Sequence, residues 1–446
     1  MDEEKNNDIN MDNENIFIIN ELYYILLNKK IGSGSFGQIY QCVNTETKEV
    51  YASKLESINE LNPQLIHESK IMNLLKYTTG FPTCYNFYYT EQDKILIMDY
   101  LGPNLNQIMD KLPDKKFSIK SSLMIMLQCI ERLRYLHEKG VIHRDIKPEN
   151  FVIGRKNKER IIYLIDFGLS KKYKNQYNIH ISMKKERNII GTVKYISINT
   201  HRGLEQSRRD DLESLFYTII YFIKGELPWK NIKFKSKAEK YNKIYEIKKK
   251  SCEKGGELCR SLPFEFQIII DYILNLEFEE KPNYNTLKEV TELILAKLNY
   301  FNDLQFDWYN MTFLNKIMNE NLFENDFSKS FIKEDENEKN NKNGIEWNKN
   351  EHYIIKRNKM NKNNSLIFNE YKKLLDSNKL FNKNISKKLN FRLNLVKNNI
   401  KNKKSSFYNS CDLKNPIPIG GYLSYEIKNK PPGNIRYKNK KIYIYK

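Results

Sequence analysis

The sequence predicts an α+β fold with two lobes: an antiparallel β-sheet plus one helix form the smaller lobe, and helices form most of the larger one. Between residues 22 and 98, short apolar segments alternate with polar residues, which is typical of strands. From residue 118 to residue 298, apolar residues recur mainly at helical spacing. A turn-rich break from Asp99 to Asn104 separates the two regions and predicts a hinge.

Charge divides the 446 residues into three parts. Residues 1–20 hold 1 Lys and 6 acidic residues, whereas residues 351–446 hold 23 Lys and Arg against 5 Asp and Glu, so the tail supplies most of the net charge of +20. We therefore expect an acidic disordered arm over residues 1–21 and a folded domain over residues 22–310, with lobes of about 22–98 and 104–310. A basic, Asn- and Lys-rich, mostly disordered tail is expected over residues 311–446.

Targeting signals and cysteine spacing restrict the class of protein. The first residues are acidic and Asn-rich, unlike a secretory signal, and the longest apolar runs are too short to span a bilayer. An intracellular protein, cytoplasmic or nuclear, is expected. Six scattered cysteines have neither zinc-ligand spacing nor the density of a disulfide framework, which favours reduced thiols. The basic tail could contact acidic proteins, nucleic acid or anionic membrane, and composition does not choose among these.

A glycine pattern opens the predicted sheet. Residues 31–40 contain G-x-G-x-x-G, in which glycine lets backbone amides approach phosphate oxygens closely. In dinucleotide folds a helix follows such glycines, but here residues 38–43 and 49–55 alternate like the two strands of a hairpin. The pattern favours a hairpin that covers phosphates.

Lys54 and Glu68 form the next candidate pair. Lys54 ends the second strand of the hairpin between apolar positions, and an unpaired lysine is costly to bury, so it should meet an anion or a carboxylate. Glu68 lies in a helix predicted over residues 63–75 and can project toward the sheet. The alternative is that both side chains are simply exposed, as these residue types usually are.

The remaining elements follow in order. Residues 95–98 are a short apolar run typical of a buried strand. Helical periodicity then predicts four helices in the larger lobe, over residues 118–137, 208–223, 264–276 and 284–298.

The chemistry concentrates in residues 141–151 and in the Asp-Phe-Gly that follows them. Asp145 can accept a proton, and Lys147 can neutralise charge beside it. Asn150 and Asp166 offer the oxygen ligands that a hard divalent cation prefers. Phosphoryl transfer mainly requires a positioned nucleophile and neutralised charge, so this grouping predicts that reaction.

In order, the glycine loop, strand lysine, helix glutamate, His-Arg-Asp loop and Asp-Phe-Gly resemble a eukaryotic protein kinase, and further segments resemble the casein kinase I family. These segments, similar to the family at matching spacing, are Pro63-Gln-Leu, Glu68-Ser-Lys-Ile71, Leu101-Gly-Pro103, Gly168 to Tyr173, Ser197-Ile-Asn-Thr-His201, Glu205 to Ser214 and Leu227-Pro-Trp229. The resemblance covers about residues 22–310.

The resemblance implies a protein serine/threonine kinase that uses ATP and Mg²⁺. Asp145 would orient the substrate hydroxyl and accept its proton, and Lys54, paired with Glu68, would hold the α and β phosphates. Asn150 and Asp166 would hold Mg²⁺. Lys147 and Thr192 are similar to their counterparts in serine/threonine kinases. The residues implied to surround ATP are Ile31, Gly32, Ser33, Gly34, Ser35, Phe36, Gly37, Ile39, Ala52, Lys54, Met98, Asp99 and Leu101.

Substrate choice is also implied by the resemblance. Family members favour acidic or phosphorylated sequence before the target residue, which Lys194 and Lys240 would read here, with Lys230 nearby. Lys194 stands where the family usually has arginine, and lysine lacks the bidentate fork, so a weakened preference for primed sites is expected. The alternative is that both lysines merely coat the surface.

Several departures from the usual kinase pattern accompany the resemblance. Ser197-Ile-Asn199 stands where most kinases have Ala-Pro-Glu, which removes the usual ion pair, and Phe216 stands where glycine is expected. The stretch from residue 169 to residue 190 has no obvious regulatory phosphosite, which predicts activity without phosphorylation there, although Arg144 could pair with a phosphate. A monomer is expected. The competing interpretation is a catalytically silent scaffold that binds partners through its tail.

Overall fold

The computed structural model describes residues 16–34 and 37–309. The strands in these ranges are β1 (Ile16–Ile19), β2 (Tyr23–Gly34), β3 (Gly37–Asn44), β4 (Val50–Ser57), β5 (Cys84–Tyr89), β6 (Asp93–Asp99), β7 (Val141–Ile142), β8 (Phe151–Ile153), β9 (Ile162–Leu164) and β10 (Lys171–Lys172). The helices are α1 (Leu65–Leu74), α2 (Leu105–Lys111), α3 (Ile119–Glu138), α4 (Ile198–His201), α5 (Arg208–Lys224), α6 (Lys237–Cys252), α7 (Glu265–Leu274) and α8 (Tyr284–Lys297).

The smaller lobe is a six-stranded antiparallel sheet with one helix, as the sequence predicts. Its strand order is β1-β2-β3-β4-β6-β5. Side chains alternate between the two faces of a strand. Alternate residues of β6, Ile95 and Ile97, join a buried cluster with Ile25 of β2. Helix α1 packs along β5 and β6.

The sheet begins earlier in the chain than the sequence indicated. Residues Ile16–Ile19, expected to belong to a disordered arm, pair with residues 23–26 of β2 as strand β1. The side chain of Ile19 is fully buried, which explains the pairing, because this short apolar run completes the core of the sheet. The acidic residues before this run dominate the local composition, so the apolar pattern of a strand is difficult to recognise in the sequence. Residues 1–15 lie outside the described ranges.

The larger lobe is built around α3 and α5, which pack against each other, with α8 on α3 and α7 on α5. Ser118 caps the start of α3, and Gly225 ends α5 with a left-handed φ of 76° that favours glycine. Phe216, the residue found where glycine was expected, is fully buried, and its ring centroid lies 6.4 Å from that of Phe266 on α7. The aromatic ring therefore fills the interface between α5 and α7.

All four predicted helices of the larger lobe are present, with ends shifted by a few residues. Helices α2, α4 and α6 and the four two- or three-residue strands were not predicted, because short elements and lysine-rich helices carry little hydrophobic periodicity. Across the described part of the chain, none of the helices combines the length and apolar character needed to cross a membrane. The predicted basic tail, residues 311–446, lies outside the described ranges.

Candidate active site

The loop that carries Asp145 is held by a carboxylate from α5. Asp211 accepts hydrogen bonds from the backbone N–H of His143 at 2.7 Å and of Arg144 at 2.8 Å. Arg144 has a left-handed φ of 69°, which is unfavourable for a residue with a side chain. Two charge-assisted hydrogen bonds on successive amides stabilise this strained turn. Asp211 therefore determines the direction in which the chain leaves β7 toward Asp145.

Asp211 is itself oriented by His137 of α3. The carboxylate can only accept, so Nε2 of His137 donates to it at 2.9 Å, and Nδ1 accepts from the Tyr284 hydroxyl at 2.7 Å. Burial lowers the pKa of His137 and keeps the ring neutral. Burial alone would raise the pKa of Asp211, but the His137 and backbone hydrogen bonds outweigh it, so the pKa lies below its ordinary value. The carboxylate is ionised and fully paired.

Both carboxylate oxygens of Asp145 face partners that the sequence predicted. Oδ2 lies 2.6 Å from Lys147 Nζ, and Oδ1 accepts from the Thr192 amide at 2.9 Å and from its hydroxyl at 2.8 Å. Asp145 is only 7% exposed, and Oδ2 also has a weaker contact, at 3.4 Å, with the Asn150 side-chain nitrogen, which is the contact that a substrate hydroxyl would replace. The arrangement holds one carboxylate in a single orientation at the edge of the cleft.

Asn150 and Asp166 are brought together by the backbone, since the Ile165 amide donates to the Asn150 carbonyl at 3.0 Å. The Asn150 side-chain nitrogen donates to the Asp145 carbonyl at 2.8 Å, which leaves its amide oxygen as the atom that could ligate a metal. No group of three His, Cys, Asp or Glu side chains suited to a metal occurs within the described ranges. One amide oxygen and one carboxylate suit Mg²⁺, which commonly keeps several waters and binds phosphate oxygens.

Lys54 joins the two lobes. Its Nζ lies 2.6 Å from Glu68 Oε2 on α1 and 3.4 Å from Asp166 Oδ1. Burial alone would lower the pKa of Lys54, but the two carboxylates outweigh it and raise the pKa above its ordinary value. Burial likewise acts to raise the pKa of Asp166, while Lys54, His143 and Lys147 lower it on balance. The predicted pairing of Lys54 with Glu68 is therefore present, and both Lys54 and Asp166 are charged.

The predicted hairpin of residues 38–43 and 49–55 is formed by β3 and β4, and the glycines lie in the hairpin before it, formed by β2 and β3. Gly32 lies opposite Ile39, and Gly34 lies opposite Gly37. A side-chain carbon at Gly37 would lie 2.4 Å from the Leu55 carbonyl oxygen of β4, so only glycine fits there. Residues 35 and 36 are outside the described ranges. Gly37, at the start of β3, therefore lies beside β4 and close to Lys54.

The remaining predicted nucleotide residues line up across the sheet. Ala52 pairs with Met98, and Lys54 pairs with both Ile39 and Leu96 in the strand register. The Asp99 side chain accepts from the Thr83 amide at 2.7 Å, and the Asp99 amide donates to the Thr83 carbonyl at 3.2 Å. These contacts fix the end of β6 against the segment before β5. Whether Asp99 and Leu101 bind adenine stays a prediction.

The segment after Asp-Phe-Gly is paired with a carboxylate from later in the chain, that of Glu205. Glu205 lies 2.8 Å from Lys171 and 3.2 Å from Arg187, both of which belong to this segment. Its carboxylate also favours the charged form of Arg144, although burial, the larger effect, lowers the pKa of that arginine. Arg144 in turn donates from Nε to the Leu169 carbonyl at 2.7 Å. The Glu205 carboxylate thus pairs with basic residues of this segment to which a phosphate could otherwise bind.

The Ser197-Ile-Asn199 segment lacks the usual anchoring ion pair, and other contacts replace it. Nζ of the fully buried Lys248 donates to the carbonyls of Val193, at 3.1 Å, and Ile196. The amide of Ile198 donates to Glu213 at 2.7 Å. These bonds fix the backbone from Val193 to Ile198, immediately after Thr192.

The two lysines of the predicted anion site lie in different surroundings. Lys194 is half-buried, with Nζ 3.4 Å from the centre of the Tyr221 ring. Burial lowers the pKa of Lys194 to about 8, opposed by the negative charges of Glu149 and Asp110 and assisted by the positive charge of Lys230. Lys240 is on α6, with Nζ 4.9 Å from the centre of the Phe234 ring. Lys194 and Lys230 therefore interact electrostatically, while a joint site with Lys240 stays a prediction.

Three residues important for this geometry were not predicted to act here: Asp211, Glu205 and Lys248. Asp211 and Glu205 occur within a segment that was noted only for its resemblance. A run of acidic residues at the start of an apolar helix could have indicated buried carboxylates, since such residues require partners. Lys248 carries no local signal, because it lies in a lysine-rich helix whose other lysines are mostly exposed.

One comparison with known proteins bears on this arrangement. The family model described as the protein kinase domain matches residues 25–292, which is more than half of the chain. The match spans the glycine hairpin, Lys54, the catalytic loop and α5, and it continues into α8.

We expect Asp211→Asn to destabilise the folded domain by about 3 kcal/mol, because the amide cannot accept three hydrogen bonds and brings two donors to a site that needs none. Urea unfolding followed by tryptophan fluorescence measures the change. Asp303→Asn is the matched control, since Asp303 pairs with Lys120 at the surface and its loss should cost less than about 1 kcal/mol. Equal losses in the two variants would contradict the anchoring role of Asp211.

Proposed function

The chain belongs to the protein kinase domain family, and from that premise we propose that it is a serine/threonine kinase of the casein kinase I type. The observation that carries the proposal is the environment of Asp145, whose carboxylate contacts both Lys147 and Thr192. A lysine and a threonine in these positions are typical of the serine/threonine class, as the sequence resemblance implies.

Asp145 acts on the substrate hydroxyl in the proposed reaction. It accepts a hydrogen bond from the hydroxyl and takes its proton as the hydroxyl oxygen bonds to the γ-phosphorus of ATP. The bond from that phosphorus to the β,γ-bridging oxygen breaks, and ADP leaves. Lys147, 2.6 Å from Asp145, neutralises charge that develops on the transferred group.

Lys54 and the metal-binding pair hold the nucleotide in this proposal. Lys54 is kept extended into the cleft by Glu68, so its ammonium group can bind the α and β phosphates. Asn150 and Asp166 are the residues that would hold Mg²⁺, which neutralises phosphate charge when bound. Asp166 is ionised, as that role requires. The glycine hairpin covers the phosphates with backbone amides.

Activity without prior phosphorylation is part of the proposal. Glu205 supplies a carboxylate to Lys171 and Arg187 beside Arg144, and a fixed negative charge there does the work that a phosphate does in kinases that need one. Lys54 and Glu68 are already paired in the isolated chain. Both features support a kinase whose active site is formed without a phosphorylation step.

Acidic or already phosphorylated segments are the proposed substrates. The positive charges of Lys194 and Lys230 lie close enough to interact, and both would attract an anion before the target residue. The ammonium group of Lys194 already contacts the face of the Tyr221 ring, and it cannot make the bidentate contact that arginine makes with a phosphate. Both features support a preference for phosphorylated sites that is weaker than that of the family. Lys240 is proposed as a further contributor from α6.

We expect Asp145→Asn to lower the rate of phosphate transfer from ATP to casein by about 100-fold or more, because the amide keeps the shape but cannot take the proton. Transfer of labelled phosphate with Mg²⁺ measures the effect. Asp114→Asn makes the same chemical change at an exposed surface position and should leave the rate unchanged. If the folded wild type binds ATP but transfers nothing, the scaffold interpretation replaces this one.

The preference for a phosphorylated peptide should decrease as the pH rises from 7 to 9. Lys194 has a pKa of about 8, so it is charged below that pH and neutral above it, while the peptide phosphate stays a dianion. The ratio of rates on matched primed and unprimed serine peptides measures the change. Lys194→Arg keeps its charge over this range and should remove the decrease; a decrease that persists in the arginine variant would rule Lys194 out as its source.

A further inference from the structure

A second buried carboxylate lies on β4 beside the catalytic lysine. Glu56 is two residues after Lys54 and only 2% exposed. Because residues two apart on a strand point to the same face, Glu56 and Lys54 both face α1. Glu56 belongs to none of the predicted nucleotide, metal or proton-transfer residues, so its burial requires another explanation.

Glu56 caps the start of α1 from outside the helix. Its Oε1 accepts from the amides of Gln64 at 2.6 Å and of Leu65 at 3.0 Å. Gln64, at the helix start, makes no capping bond with its own side chain. A carboxylate at this position satisfies two amides that would otherwise lack acceptors and interacts favourably with the helix dipole. The beginning of α1 is therefore attached to β4 rather than capped locally.

Lys94 completes the cluster. It lies directly opposite Glu56 in the register of β4 and β6, and its Nζ is 3.0 Å from Glu56 Oε2. The side chain of Lys94 is only 8% exposed, so each charge of this pair depends on the other. Because Lys94 contacts Oε2 of Glu56, the other oxygen, Oε1, faces the start of α1. The buried ion pair with Lys94 thus orients the Glu56 carboxylate, which binds the start of α1.

The position of α1 determines whether the catalytic lysine is paired. Glu68 follows Gln64 by one helical turn, and its amide donates to the Gln64 carbonyl at 2.8 Å. Strand β4 therefore contacts α1 at two points one turn apart, through Glu56 at the helix start and through Lys54 at Glu68. Two such contacts fix both the rotation of the helix and its position along its axis.

We propose that Glu56 and Lys94 are positioning residues for phosphoryl transfer, which hold α1 so that Glu68 remains paired with Lys54 without a second protein. This inference rests on the proposed kinase function. The competing explanation is that the ion pair only stabilises the smaller lobe. The two explanations differ in one respect: positioning acts through Glu68, whereas general stability does not.

A double-mutant cycle between Lys94 and Glu68 distinguishes them. We expect Lys94→Met to lower kcat/KM for ATP by about tenfold or more in the wild-type background, since a small displacement of catalytic groups is costly. In the Glu68→Gln background, where the pairing is already weakened, the same change should cost less than about twofold. Equal fold-losses in both backgrounds would overturn the positioning role.

Matched variants control for charge and stability. Lys70→Met removes an exposed lysine from α1 itself and should leave kcat/KM unchanged in either background. Ile25→Val weakens the core cluster of the sheet, on the face away from α1, and should have the same fractional effect in both backgrounds. Glu56→Gln keeps the shape of the capping side chain and repeats the test if Lys94→Met does not fold.

Hydrogen exchange provides a measurement independent of activity. In the full chain, Lys94→Met should speed amide exchange in α1 by about tenfold relative to Lys70→Met, with β2 and β3 unaffected. Exchange that is unchanged in α1, or that rises equally throughout the sheet, would overturn the inference even if the wild type transferred no phosphate. Faster exchange confined to α1 in an inactive wild type would support the helix attachment and reject only the proposed function.

Discussion

Two successive amides of the catalytic loop, those of His143 and Arg144, donate to the single buried carboxylate of Asp211. The chain there adopts a left-handed turn that a residue with a side chain normally avoids. Asp145 follows this turn, and its carboxylate accepts hydrogen bonds from the amide and the hydroxyl of Thr192. The orientation of Asp145, the proposed catalytic base, thus depends on a helix more than sixty residues later, whose position depends on the packing of α3 and α5.

The smaller lobe meets this framework at Asp166. Lys54 reaches both Glu68 and Asp166, so the sheet, helix α1 and the larger lobe share one charged cluster. Each charge is costly to bury alone and is acceptable because the others are present. Glu56 and Lys94 repeat the pattern one turn away, at the start of the helix. The cleft is therefore organised by paired charges rather than by apolar packing alone.

The sequence predicts those parts of the site that lie in short motifs. Lys54, Glu68, Asp145 and Thr192 could be placed because motif order brings them together in one family of folds. Asp211 could not, since its partners are about seventy residues away and a helix-start aspartate usually faces solvent. Strand β1 was likewise missed, because its four apolar residues follow an acidic stretch, and Ile19 is buried only by a sheet that forms later in the chain.

We propose that the isolated chain is already assembled for catalysis, with Glu205 in place of a phosphate and Lys54 paired with Glu68. The most direct test treats the full chain with a phosphatase, removes the phosphatase and records transfer of labelled phosphate from ATP to casein from the first turnover. The account predicts a constant rate with no lag. A lag that disappears after preincubation with ATP, or transfer that begins only when another protein is added, would contradict it.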